Sequence, residues 1–260
     1  MSTPSLTGRT ALVTGSTSGL GAGIAVALAR AGAHVVVTGR TRSRGEQVVT
    51  QIESQGGRAV FVPVDFSTGP EAVSELAAAA TDAAGGRLDI LINNVATLVQ
   101  PAPTADVTAE EITAAFGVSV ITPFLLTGLL APAMAQRGDG AIVNIGSISG
   151  INGAAGSALY GATKASVHML TKAWAAEYGP SGVRVNAVAP SHLHRTQRGV
   201  RRRHRADPGA GPIAPDEHGR RSRQCRRVSR RSRSRQRPRR HLERRRRNDG
   251  DLTCPPSTSR

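Results

Sequence analysis

TGSTSGLG, running from Thr14 to Gly21, is the stretch whose reading decides the fold: it follows the apolar run Ala11–Val13 and opens an Ala-rich segment of helical period. Its glycines at 15, 19 and 21 suit a tight strand-to-helix turn, because a residue without Cβ accepts the backbone angles required and lets backbone N–H groups approach a ligand. The positive end of a helix starting there favours a pyrophosphate, and Ser18, Gly19 and Gly21 are candidate contacts to it. Outward from this unit the alternation repeats. Runs of strand length lie near Ala11–Thr14, His34–Thr38, Ala59–Val64, Ile90–Asn93, Ala141–Ile145 and Arg184–Val188. Segments of helical period lie near Leu20–Ala31, Arg42–Ser54, Glu71–Ala84, Ala109–Leu130 and Ser157–Tyr178. Strand and helix in alternation predict an α/β fold, a doubly wound parallel sheet. Such sheets bind ligands beyond the C-terminal ends of their strands, so residues just after a strand are the first candidates for chemistry.

Charge divides the chain sharply. Residues 1–190 hold 11 Lys+Arg against 12 Asp+Glu, whereas residues 191–260 hold 23 against 6, which together give the net charge of +16. A basic surface ordinarily points to nucleic acid or an acidic membrane, but here it belongs to the tail alone. From Ser191 onward there is no aromatic residue, no Lys and no periodicity, so residues 191–260 are expected to form a disordered Arg-rich tail beside a single catalytic domain at 7–190. Cys225 and Cys254 have neither CxxC spacing nor His neighbours at ligand spacing, and predict no metal site. The N-terminus lacks a basic segment followed by an apolar one, and no run of roughly 18–20 apolar residues is evident, so a cytoplasmic location without a membrane is expected.

Two further clusters carry chemistry. The second strand ends HVVVTGR, with Gly39 and Arg40 where a carboxylate would grip the adenosine ribose of NAD. Arg40, with Arg42 nearby, suits a 2′-phosphate, so NADP is the expected cofactor and NAD the alternative. Asp65, just after the third strand, is placed to hydrogen-bond an adenine amino group. The other cluster is Ser147, Tyr160 and Lys164, in GSISG and YGATK. Tyr160 and Lys164 stand four apart, hence on one face of a helix, while Ser147 sits where the fifth strand ends. A phenol of reference pKa about 10 must act as acid and base near neutrality, and a nearby ammonium favours its ionised form. The serine would hydrogen-bond a substrate oxygen and stabilise the charge developing on it. The chain has only two Tyr and two Lys, which makes their pairing here notable.

TGSTSGLG, NNVA at 93–96, Ser147, YGATK and VNAVAP at 185–190 together resemble, in order, the motif set of the short-chain dehydrogenase/reductase family, over about three quarters of the chain. The resemblance implies a Rossmann fold of strand order 3-2-1-4-5-6-7, hydride transfer between NAD(P)H and a small carbonyl or alcohol substrate, and a homo-oligomer. It assigns catalysis to Ser147, Tyr160 and Lys164. Thr14, Gly15, Gly19, Gly21, Asn93 and the backbone after Pro190 fall to cofactor binding, with Lys164 also on the nicotinamide ribose. Three departures stand out. NNAG has become Asn93-Asn94-Val95-Ala96, which adds bulk near the cofactor. Ser119 occupies the place of an Asn that anchors a proton-relay water, and reaches less far. Finally, Pro190-Ser191 replaces PG, and the family's substrate loop and seventh strand ending in VDGG are missing, so the order expected here is 3-2-1-4-5-6.

The tail has two readings. As a genuine basic arm it would bind nucleic acid through phosphates, making the protein an enzyme fold with an interaction tail or a non-catalytic cofactor-binding protein. Alternatively it is translated out of frame from a GC-rich gene, where Arg is abundant and Lys scarce. The genetic code favours this second reading. One nucleotide later, permitted codons from Ser191 read ATYTERNAAFADVIAPILA, those from Gly219 to Arg230 read AEEVASAVVFLA, and those from Arg240 to Asp251 read GILSVDGGMTAI. A stop codon is available across Leu252 and Thr253. Three segments in one offset and in family order are hard to obtain by chance.

Overall fold

The computed structural model describes residues 5–191. Six strands form one parallel sheet: β1 Thr10–Val13, β2 His34–Gly39, β3 Arg58–Pro63, β4 Ile90–Asn93, β5 Gly140–Ile145 and β6 Val183–Val188. Their order is β3-β2-β1-β4-β5-β6, as the motifs imply. The Arg-rich tail and the seventh strand concern residues outside those described.

Alternation of side chains across the strands explains why these runs are apolar on both faces. Leu12, Val36, Leu91 and Ile142 point to one face and pack on helices α3 (Glu71–Ala83), α5 (Thr122–Gln136) and α6 (Ala158–Tyr178) through Leu76, Leu126, Met134 and Trp174. Ala11, Val13, Val35, Val37 and Ile92 point to the other, against α1 (Gly19–Arg30) and α2 (Arg42–Glu53) through Ala25 and Ile52. The edge strand β6 buries Val183 and Val185 but leaves Arg184, Asn186 and Val188 exposed.

The long helix expected at 109–130 is interrupted and runs further. α4 (Ala109–Phe116) begins with a capping box between Thr108 and Glu111, then widens into a π turn at Gly117–Ile121 before α5. Pro123 supplies the reason: its ring would collide with the carbonyl of Ser119 in a regular helix, and a wider turn relieves the clash. The stretch Ala109–Gln136 is long enough to cross a membrane and contains an 18-residue window apolar enough to do so, of mean hydropathy 1.9. Leu126, Leu130, Ala131 and Met134 are nevertheless buried in the sheet core, which accounts for that composition.

Strand order reverses between β1 and β4, and there the crevice beyond the strand ends opens.

Candidate active site

Residues after β1 build the first part of this crevice. Gly15 and Gly19 adopt φ of 62° and 55°, angles that L side chains rarely accept. A Cβ on Gly21 would lie 2.3 Å from the Gly15 carbonyl oxygen, so the turn closes onto the first helical residues only because that position is bare. Buried Thr14 donates its hydroxyl to the Ile92 carbonyl (3.2 Å) and accepts the N–H groups of Asn94 (2.9 Å) and Val95 (3.0 Å). The Asn94 amide donates to the carbonyls of Thr14 (2.9 Å) and Gly15 (3.1 Å). β1 and β4 are thus locked at the switch point. Ser18 precedes α1 with extended backbone and makes no side-chain cap bond. These features fit a dinucleotide: a bare glycine cradle lies at a helix N-terminus.

Asn93, in contrast, turns its side chain into the core. Its amide donates to Asn144 (2.9 Å) and Thr127 (3.3 Å) inside the core, and its Oδ1 is buried without a partner among the described residues. Residue alternation along β4 could have shown this: Ile92 and Asn94 share a direction opposite to Asn93.

At the end of β2, Arg40 is exposed and borders a cavity of about 620 Å³ shared with Asp65, Phe66, Val95, Leu98 and Val118. The Ser67 N–H (3.0 Å) and hydroxyl (2.7 Å) donate to Asp65 and hold its carboxyl below the usual range, with Arg40 adding a smaller attraction. A Cβ at Gly39 would lie 2.6 Å from Thr17 Cγ2, so a carboxylate side chain at this position would displace Thr17. Arg42 is paired with Glu46 at 3.5 Å.

Ser147 follows β5, and Tyr160 and Lys164 lie on α6. Two glycines weld these elements together. A Cβ at Gly150 would sit 2.6 Å from the backbone carbon of Lys164, and one at Gly161 would sit 2.8 Å from the Ser149 carbonyl oxygen. The turn carrying Ser147 therefore rests directly on the helix. Ser147 is buried; its Oγ accepts the Ser149 N–H at 3.1 Å, leaving the hydroxyl proton available. Lys164 is 4% exposed, donates Nζ–H to the Ile145 carbonyl at 2.8 Å and lies 5.8 Å from the Tyr160 ring centroid. Burial lowers its pKa to about 8. The Pro190 carbonyl accepts the Ile148 N–H at 3.2 Å, so the expected cofactor-side residue after β6 supports the Ser147 turn. Ser119 is buried in the π turn, and its Oγ accepts the Thr97 N–H at 3.1 Å. That bond tethers the loop after β4. Beyond the residues read from sequence, Asn94 and His168 take part; His168 stands four residues past Lys164 and its ring faces the Ser147 carbonyl.

A parallel sheet with its switch point at a glycine cradle, and a Ser-Tyr-Lys set beside it, defines a dinucleotide-dependent oxidoreductase of the Rossmann class. The chain belongs to the short chain dehydrogenase family, whose sequence profile matches residues 9–206. It is 36% identical over 210 residues to the ketoacyl reductase HetN of Nostoc sp., covering 81% of this chain and 72% of that one. Among solved structures it is similar to a 3-oxoacyl (acyl-carrier-protein) reductase from Agrobacterium tumefaciens C58 with NADP bound. That pair shares 33% identity and a TM-score of 0.69, over 72% of this chain and 71% of the other. A 7α-hydroxysteroid dehydrogenase complexed with NADH also matches, at 33% identity and TM-score 0.67, over 72% and 71% of the two chains.

Proposed function

We propose that the protein is an NADP-dependent oxidoreductase that interconverts a carbonyl and an alcohol, with Tyr160 as acid and base. The observation that carries this reading is the seating of the Ser147 turn, just after β5, on α6, the helix that carries Tyr160 and Lys164. When bound, the nicotinamide supplies or accepts the hydride at the substrate carbon. The protein's own residues handle the oxygen. In reduction the Tyr160 hydroxyl gives its proton to that oxygen, while the Ser147 hydroxyl donates a hydrogen bond to it and steadies the developing charge. Lys164, cationic below about pH 8, favours the phenolate left on Tyr160 and would hold the nicotinamide ribose. Thr14, Gly15, Ser18, Gly19 and Gly21 would hold the pyrophosphate, and Asp65 the adenine.

Replacing Tyr160 by Phe removes only the hydroxyl. Turnover of NADPH with ethyl acetoacetate, a β-keto ester chosen because HetN is named a ketoacyl reductase, should fall at least about a hundredfold with cofactor affinity retained. Undiminished turnover would contradict the assignment. Preference for NADP over NAD rests on exposed Arg40 and on the space at Gly39 filled by Thr17. Arg40→Asp should reverse the preference in a fluorescence titration, and equal affinity of the unaltered chain for NADH and NADPH would refute it.

The same reading treats residues 191–260 as translated out of frame. The 260-residue chain then has impaired activity, and a frame-restored form carries the substrate loop and last strand. A homo-oligomer of that form is supported by Ile121, Phe124 and Leu129, apolar and exposed along one helical stretch.

A further inference from the structure

α6 carries a third residue in the row begun by Tyr160 and Lys164. His168, one turn further on, places Nε2 3.0 Å from the Ser147 carbonyl oxygen. A carbonyl can only accept, so Nε2 bears the proton and donates it. Space for the ring is made by two glycines flanking Ser147 in sequence. A Cβ at Gly146 would lie 2.4 Å from His168 Cε1, and one at Gly150 would lie 2.8 Å from Cδ2. The peptide units around Ser147 are consequently gripped from both sides. From the β6 side, the Val188 and Pro190 carbonyls accept the N–H groups of Gly146 (2.8 Å) and Ile148 (3.2 Å). From the α6 side, Lys164 and His168 hold the carbonyls of Ile145 and Ser147.

We infer that His168 is a positioning residue, fixing the Ser147 peptide so that the Ser147 hydroxyl is aimed at the oxygen handled by Tyr160. The inference deepens the reductase reading and rests on it. His168 touches neither substrate nor cofactor in this role; it acts through the backbone of Ser147. Misaiming a hydrogen-bond donor weakens the transition state more than the ground state, so the loss falls on kcat.

The test uses the full chain, in its 260-residue and frame-restored forms, with NADPH and ethyl acetoacetate. His168→Leu keeps the bulk and removes the donor, whereas His168→Gln places an amide N–H near the position of Nε2. H168L should lower kcat about tenfold or more while KM and NADPH affinity stay within about twofold, and H168Q should recover most of the loss. A purely structural residue would lower thermal stability and leave kcat per folded molecule unchanged. Should H168L fail to fold, His168→Asn, whose shorter amide falls short of the carbonyl, takes its place in the comparison. Nitrogen-15 spectra of the imidazole at about pH 9 should show Nε2 protonated. Unchanged kcat in H168L or H168N, H168Q as impaired as H168L, or an unprotonated Nε2 would overturn the inference while Y160F still decides the reductase reading. Absence of turnover in both unaltered forms would remove the reading itself, and the inference with it.

Discussion

Lys164 pays for its place in the site, because burial of an ammonium is unfavourable and pushes its pKa from 10.5 down to about 8. In the unfolded chain the group keeps its ordinary value. Below pH 8 both states hold the proton and the folded state bears the full penalty of a buried cation. Between about pH 8 and 10.5 the folded state sheds the proton while the unfolded state keeps it, so stability rises with pH, by about 3 kcal/mol at most. Urea midpoints for the unaltered protein minus Lys164→Met should accordingly increase through that window; a flat difference would show that Lys164 is not buried as described. The sequence singles out Tyr160 and Lys164 because their spacing matches a helical turn, and Ser147 because it ends a strand; the structure puts the first two on α6 and the third just after β5. His168 is equally well spaced, yet a lone histidine on a helix has no chemical signature until its partner carbonyl is seen. The side-chain directions of Asn93 and Asn94 are hidden for a similar reason. Two adjacent asparagines point to opposite sides of β4, and the structure gives Asn94 to the glycine turn and Asn93 to a buried polar pair with Asn144.

Elements, unlike single residues, were mostly legible from their periods, and the one substantial difference is instructive. Helical period extends unbroken across 109–130, but the pattern of apolar residues does not report a π turn, which arises from Pro123 meeting the carbonyl of Ser119. Burying Ser119 at that turn lets its Oγ receive the Thr97 N–H at 3.1 Å. Ser119→Ala leaves this N–H without its acceptor and should cost about 1 kcal/mol, with faster amide exchange at Thr97. Unchanged exchange would show that the loop after β4 is held by other contacts. A second element boundary depends on Gly182, at φ 80°, where a Cβ would lie 2.2 Å from the Gly138 carbonyl oxygen. Gly182→Ala strains both the backbone angle and the neighbouring turn, and should destabilise the domain by roughly 2 kcal/mol or more in chemical denaturation. A change below about 0.5 kcal/mol would mean that the two turns do not meet so closely.

For the molecule as a whole, the contrast between residues 1–190 and 191–260 in charge outweighs any single motif. A near-neutral α/β domain with both faces of its central strands covered is followed by 23 arginines in 70 residues. Among the described residues β6 is an edge of the sheet, and it leaves Arg184, Asn186 and Val188 exposed; edge strands of this kind invite association between chains. The out-of-frame translation proposed above would give both features one cause. The nucleotide sequence under Arg244 to Arg247 should contain the run GTC-GAC-GG, and restoring the frame should raise soluble yield and turnover; an in-frame tail without that run would make the basic arm genuine. The catalytic reading itself is tested most directly by following NADPH oxidation with ethyl acetoacetate in the frame-restored protein and its Y160F variant, alongside NADPH binding by both. Turnover in the former, a loss of at least about a hundredfold in the latter and equal binding in the two are the result expected of a Tyr160 general acid. Equal turnover, or none in either despite tight NADPH binding, would contradict it.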